Sequence, residues 1–309
     1  MKAVSIKNLE KSYGANKVLN GVDLEVEEGE FYALMGPNGS GKTTLSSIIA
    51  SVTDFDGGTI EIYGKKPVDA RRLIGYMPQD NFSSPLLTAR ENLMYFAGLL
   101  GYTGREARRM VNGYLEKIGL EDDADKRVAR FSGGMRKRLE IATALFPGIK
   151  ILILDEPTTG LDPSARRDFF SLLQKIKDDN TSIFLITHIG SDAELAARVG
   201  LIDGGRIVAE GTPEALRRAY ATEDVITVET GVKSPQIASL LKDFSTQKQL
   251  AETDSGYRLF SADGGSAIPV IIRTLDQVGY KVSRIELARP SLEDVFYKVT
   301  DKHFKGIGG

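Results

Sequence analysis

"FYALMGPNGSGKTTLSSII", residues 31–49, is the stretch on which the fold turns. Phe31–Met35 is a short apolar run of the kind a buried strand makes, and from Leu45 the apolar residues Leu45, Ile48 and Ile49 recur at helical spacing. Between them, "GPNGSGKTT" fits the pattern G-x-x-x-x-G-K-[ST]. A strand, a glycine-rich loop and a helix in that order form the context in which this pattern cradles phosphate. Glycines allow successive backbone N–H groups to converge on phosphate oxygens. Lys42 is placed for the β- and γ-phosphates, the Thr43 hydroxyl for Mg²⁺, and Thr44 for the α-phosphate.

The rest of the composition is consistent with a folded protein carrying such a loop. The chain has 309 residues, 41% hydrophobic and 27% charged, which suits a sizeable core and two domains. A net charge of −2 gives no global bias toward nucleic acid. The absence of cysteine removes disulfides, thiol catalysis and cysteine-ligated zinc. No apolar run approaches the length of a transmembrane helix, and "MKAVSIKNLEKSYG" lacks the apolar region of a signal peptide. A role at a membrane therefore calls for a separate membrane partner.

Alternating residues predict short strands over 4–30, and "GGTIEIYG" and "RLIGYMPQ" continue the strand pattern. Residues 85–146 read as helical, with Met110, Val111, Tyr114, Leu115 and Ile118 forming one stripe. "EDDADKR" (121–127) reads as a solvated loop, and "GLIDGGRIVAEG" as a hairpin. "KILIL" (150–154) and "TSIFLI" (181–186) are nearly all apolar, as parallel strands covered on both faces are. After about residue 221 the order becomes β-α-β-β-α-β, the ferredoxin-like order, followed by a last helix in "SLEDVFYKVTDKHF" and a loose "KGIGG".

Further chemistry gathers at the predicted strand ends. "ILILDEP" puts Asp155 and Glu156 at the carboxyl end of a buried strand, the edge of an open α/β sheet where ligands bind. Asp155 is placed to hold Mg²⁺ or its water, and Glu156 to orient or deprotonate an attacking water. "FLITH" ends another strand on His188, whose neutral imidazole suits a γ-phosphate oxygen or that water. Gln79 follows "IGYMP" at a third strand end and is a candidate for Mg²⁺ or water; Tyr13 is a candidate to stack on a base. His303 is assigned no role.

"ARFSGGMRKRLEIATAL" (129–145) reads as a helix with Leu139, Ala142, Leu145 and Phe146 on one face. Two glycines occupy its first turn, although each costs a helix interior about 1 kcal/mol relative to alanine. Arg136, Lys137 and Arg138 follow near the positive end of the helix dipole, where carboxylates would normally sit. Such a start is a ready anion site.

Taken in order, the phosphate loop, Gln79, "FSGGM", "ILILDEPTTGLDP" and "THI" resemble the nucleotide-binding domain of an ABC transporter over roughly residues 1–220. The resemblance implies an α/β P-loop NTPase with an antiparallel β subdomain and a helical subdomain at about 85–146; the change of pattern after about residue 221 sets off a C-terminal accessory domain over 221–309. It implies ATP and Mg²⁺, with Gly36, Pro37, Asn38, Gly39, Ser40, Gly41, Lys42, Thr43 and Thr44 on the phosphates and Tyr13 on adenine. Gln79 would sense Mg²⁺ and the membrane partner, Glu156 would be the catalytic carboxylate, and His188 would position the γ-phosphate. Ser132, Gly133 and Gly134 would bind the γ-phosphate held by a second copy of the chain, and Gly160, Leu161 and Asp162 would communicate across that dimer. "FSGGMRKRL", "LTARENLMYF" and "RPSLEDVFYKVT" further resemble the separate-chain ATPases of drug, lipid or polysaccharide exporters. Met135 stands where the wider family commonly has glutamine, which leaves the Ser-Gly-Gly donors intact.

The function expected is thus ATP hydrolysis driving export through a separate permease, by a protein peripheral on the inner face of the cell membrane. The alternative is a non-transport ABC ATPase of DNA repair or translation. The single nucleotide domain, and the lack of a long coiled coil or cysteine zinc sites, disfavour it. A P-loop kinase would leave "FSGGM" without a purpose. No nucleic-acid partner is expected.

Overall fold

The computed structural model describes residues 1–300 apart from 179, 222, 247 and 249; His303 and the terminal "KGIGG" lie outside the described residues. The chain forms two compact units, one spanning Met1–Glu210 and one from Gly211 onward.

The first unit opens with two long strands, β1 (Lys2–Tyr13) and β2 (Asn16–Glu27), where the sequence suggested several short ones. Their register shifts at four places, so the apolar alternation breaks although the pairing continues. β3 (Phe31–Met35) is wholly buried and leads through the glycine loop into α1 (Lys42–Ile49). β4 (Gly57–Ile62) returns to pair with β1, which completes a three-stranded antiparallel sheet in the order β2-β1-β4. The short helix α2 (Pro67–Ala70) then precedes β5 (Ile74–Met77).

Three helices follow: α3 (Ala89–Leu99), α4 (Gly104–Lys117) and α5 (Gly133–Ala144). Thr88 and Glu91 cap α3 reciprocally. α4 buries Ala107, Val111 and Leu115 and exposes Arg105, Arg108 and Arg109. α5 departs from the one-faced helix expected: every residue from Leu139 to Ala144 is buried, so it packs on all sides. Leu145 is its C-cap and Phe146 lies beyond it.

The remaining elements of this unit are β6 (Ile151–Asp155), α6 (Pro163–Asp178), β7 (Ser182–Thr187), α7 (Gly190–Ala193), β8 (Arg198–Asp203) and β9 (Arg206–Gly211). They complete a six-stranded sheet in the order β5-β6-β7-β3-β8-β9. From β5 to β8 its pairs are parallel, and the register sets Met77 beside Leu154, Asp155 beside Ile186, and Met35 beside Thr187. Five carboxyl ends therefore come out on one edge, with the phosphate loop, Gln79, Glu156 and His188 just past four of them.

The second unit runs α8 (Pro213–Tyr220), β10 (Asp224–Glu229), α9 (Pro235–Lys242), β11 (Ala251–Glu252), β12 (Gly256–Ser261), α10 (Gly264–Gln277), β13 (Arg284–Ala288) and α11 (Leu292–Thr300). The strand expected in "QKQLAE" shrinks to two residues, Ala251 and Glu252. The sheet order is β11-β12-β10-β13 with every pair antiparallel. Ile226, Val228, Tyr257 and Leu259 pack with Ile237, Leu241, Ile271 and Leu275 of α9 and α10. α8, counted with the first domain on the sequence, packs against α11, which places the division at 210/211 instead of 220/221. Among the described residues no helix is long and apolar enough to cross a membrane.

Candidate nucleotide-binding site

The glycines of the loop answer to two constraints. A Cβ on Gly36 would stand 2.2 Å from the Ile202 carbonyl oxygen, so the loop can leave β3 only without a side chain there. Gly41 has a φ of +102° and would meet Leu19 and the Val18 carbonyl, so it too must be bare. Gly41 is the N-cap of α1, which starts with no side-chain cap and no acidic residue in its first turn. The free N–H groups and the positive end of the helix dipole thus remain available to an anion.

The Lys42 ammonium is almost fully buried and donates to the carbonyls of Gly36 at 2.8 Å and Pro37 at 2.9 Å. Burial pulls its pKa down, while Glu156 and Asp155 hold it up. Asp155 is completely buried; its Oδ2 accepts from Ser46 Oγ at 3.1 Å, and its Oδ1 has no partner. Burial raises the Asp155 pKa against the opposing hydrogen bonds from Thr43 and Ser46. An unpartnered carboxylate oxygen next to a threonine hydroxyl fits Mg²⁺, which takes one or two protein oxygens and completes its shell with water and phosphate. The Ser40 hydroxyl is likewise buried without a partner.

Glu156 has a φ of +47°, a left-handed conformation that turns the chain sharply out of β6. Its Oε1 lies 3.1 Å from His188 Nδ1 and 3.9 Å from Lys42 Nζ. Its Oε2 receives Gln79 Nε2 at 3.5 Å and Thr159 Oγ1 at 3.4 Å. The neighbouring strand ends have thus brought four sequence candidates (Lys42, Gln79, Glu156 and His188) into one cluster. A cavity of about 420 Å³ opens beside it, lined by Tyr13, Asn38, Gly39, Gly41, Lys42, Thr43, Thr44, Gln79 and Glu156, with Asn16 and Val18. Tyr13 is half exposed at its rim, with Lys11 Nζ 5.4 Å from its ring centroid.

Ser132, Gly133, Gly134 and Asp162 do not line this cavity. Ser132 caps α5, its hydroxyl accepting from Met135 N at 3.2 Å. Asp162 accepts from the backbone N–H groups of Ala165 and Ser164, which hold its carboxyl below the usual range. The glycine pair also has a packing reason the sequence did not disclose: a Cβ on Gly134 would stand 2.9 Å from the Ala165 Cβ of α6, while one on Gly133 would meet Leu161 at an ordinary 3.4 Å. The three cations are all engaged. Arg138 donates to the Ile118 and Gly119 carbonyls at 3.0 and 3.1 Å, closing the end of α4. Lys137 pairs with the buried Glu140 at 3.5 Å, and Arg136 reaches the Val128 carbonyl at 3.4 Å.

Sequence reasoning missed Asn16, Val18 and Ser46. Ser46 falls one helical turn after Thr43 and was findable from that spacing. It also missed a buried Asp192 that joins Thr158, Thr187 and Arg166.

Comparison with known proteins places this geometry. Residues 19–159 match the family model described as "ABC transporter", and residues 211–300 match "ATP-binding protein DrrA1-3-like, C-terminal domain". The chain is 35% identical over 305 residues to "Daunorubicin resistance ATP-binding protein DrrA2" of Streptomyces coeruleorubidus, covering 96% of this chain and 95% of that one. It is 37% identical over 309 residues to "Nod factor export ATP-binding protein I" of Burkholderia lata, covering 98% of each. Among solved structures, the dimeric post-hydrolysis ATP-binding cassette MJ0796 bound to ADP and Pi aligns with a TM-score of 0.62 at 30% identity, over 68% of this chain and 98% of that one. CbiO1 of Clostridium perfringens, part of the ABC transporter complex cbiONQ, aligns at 0.64 and 27%, over 71% and 94%. The chain belongs to the ABC transporter family of ATP-binding proteins, an ATPase cassette followed by a DrrA-type C-terminal domain.

Proposed function

We propose that two copies of the chain sandwich two Mg²⁺-ATP molecules and hydrolyse them to drive export through a separate membrane permease. The observation that carries this reading is the cluster at the sheet edge, where Lys42, Gln79, Glu156 and His188 converge beside a phosphate-shaped cradle.

The backbone of Gly36, Pro37, Asn38, Gly39, Ser40 and Gly41, with Lys42, Thr43 and Thr44, would hold the phosphates, and Tyr13 the base. Asp155, Thr43 and Gln79 would hold Mg²⁺, which when bound neutralises charge on the transferring phosphate. Glu156 takes the proton of the attacking water, and Gln79 and Thr159 orient that carboxylate. His188, whose one N–H faces Glu156, would turn it to the transferring phosphate or to the water. Ser132, Gly133 and Gly134 of the opposite copy would complete the anion site with a second bare helix start. Asp162 and its loop would relay closure between the copies.

Two features support the permease contact. Leu86, Tyr95, Leu99 and Leu100, in and just before the helical insert, are exposed. Beside them lies a groove of about 540 Å³, lined by Phe82, Phe96, Leu100 and Tyr102 with Arg71 and Arg72. Exposed apolar patches of this kind mark interaction sites. Such contact would put the protein on the inner face of the membrane. The export names of the relatives favour efflux. Purified chain with ATP and Mg²⁺ should release phosphate, and a membrane protein should accompany it from cells. No nucleotide binding would sink the reading; co-purification with nucleic acid and not with membrane would favour a repair or translation role.

A further inference from the structure

Asp192 is a fully buried carboxylate to which the proposed chemistry assigns no part. It lies in α7, just beyond His188. Its Oδ2 accepts from the hydroxyl of Thr158, which follows Glu156 by two residues, and from Thr187 Oγ1 at 3.5 Å, which precedes His188. Its Oδ1 pairs with the Arg166 guanidinium of α6. Thr187 Oγ1 in turn accepts from the Ile189 N–H at 3.0 Å, and Arg166 Nη2 reaches Ser191 Oγ at 2.6 Å.

One carboxylate therefore ties together three segments: the turn after Glu156, the turn that carries His188, and the first turns of α6. α6 begins at the loop capped by Asp162, and its Ala165 is the residue that packs against Gly134 at the start of α5. The Glu156–His188 separation and the placement of the Ser-Gly-Gly helix start thus share one anchor.

We propose that Asp192 is a positioning residue for hydrolysis: it holds Glu156 and His188 in register and couples that register to α6 and the Ser-Gly-Gly start of α5. The proposal rests on the hydrolytic reading of the site given above. Asp192 touches neither the phosphate cradle nor Tyr13 among its contacts, so its loss acts on the catalytic step and spares nucleotide binding.

The test compares wild type, Asp192→Asn and the double variant Asp192→Asn/Arg166→Met in the full-length chain. The double variant leaves no unpaired buried charge, so it recovers stability lost in the single one. Thermal melting, equilibrium binding of a fluorescent ATP analogue, and kcat and KM for ATP are measured for each. Misplaced groups cost on the order of tenfold to a hundredfold in rate. The expected result is a double variant that melts close to wild type, binds the analogue within about threefold, keeps its KM, and has kcat reduced at least about tenfold. Three results overturn the proposal: a double variant that regains kcat along with stability, since Asp192 then only buttresses the fold; single and double variants that both hydrolyse normally; or a loss confined to KM. A wild-type chain that binds ATP and never hydrolyses it overturns the hydrolytic reading, and this proposal with it.

Discussion

His188 Nδ1 lies 3.1 Å from Glu156 Oε1, across the ends of the neighbouring strands β7 and β6. The geometry is that of an imidazole N–H donating to a carboxylate, which holds the carboxylate oriented for proton transfer. Glu156→Gln keeps the shape and removes the base. Its hydrolysis rate should fall by about 10²–10⁴-fold, the usual worth of a general base, with ATP affinity retained. Phosphate release at saturating ATP checks this; a variant that hydrolyses normally would remove Glu156 from its role.

The buried Asp155 predicts an inverse relation between stability and activity. Its folded pKa is raised above the ordinary 3.8, chiefly by burial. A carboxyl that holds its proton more tightly when folded stabilises the fold at low pH, and that contribution is lost as pH rises through the folded value. At pH 7, without ligand, the Asp155 carboxyl is a net cost. Asp155→Asn should therefore melt higher than wild type at pH 7, with the gap closing as pH falls toward 3.8. Mg²⁺-dependent hydrolysis should fall on the order of a hundredfold, as when a principal electrostatic group is removed. Paired melting curves and phosphate assays decide; equal or lower melting of the variant at pH 7 contradicts the burial argument.

Gly133 and Gly134 should respond differently to a methyl group. Gly133→Ala meets Leu161 at an ordinary distance, whereas Gly134→Ala collides with Ala165 at 2.9 Å. Alanine in place of glycine favours a helix by up to about 1 kcal/mol, and overpacking costs about 1–3 kcal/mol. Gly133→Ala should match or exceed wild-type stability in urea titration, and Gly134→Ala should fall below it. The reverse order would refute the packing account of Gly134.

Arg138 closes α4 through two carbonyls. Arg138→Ala should destabilise the chain by about 1–3 kcal/mol, the worth of hydrogen bonds from a charged donor, and leave ATP affinity unchanged. A change in affinity with stability intact would assign Arg138 to the anion site instead.

Legibility followed how the chemistry is written along the chain. The phosphate loop needs consecutive residues, so 36–44 disclosed the strand, the loop and the helix together, and parallel register then carried Gln79, Glu156 and His188 to the same edge. Contacts between distant single residues left no such trace. Nothing in "THIGSDAELAARV" marks Asp192 as buried, because its partners Thr158 and Arg166 lie in another segment. The 12-residue strands β1 and β2 were divided on the sequence because bulges break a period-two pattern without ending the pairing. α5 reads as one-faced on the sequence because its pattern separates apolar from polar residues, whereas the fold buries the polar Glu140 and Thr143 along with the apolar ones.

The central claim is that the Ser132 helix start completes the site of another copy. Asp is as good an N-cap as Ser, so Ser132→Asp keeps the bond to Met135 N and adds a negative charge where a γ-phosphate would arrive. Molar mass in solution, measured with and without ATP, compares Glu156→Gln with Glu156→Gln/Ser132→Asp. The account predicts that ATP doubles the mass of the first, while the second binds ATP equally well and stays a monomer. An ATP-driven dimer that forms just as readily with Asp at position 132 would contradict it.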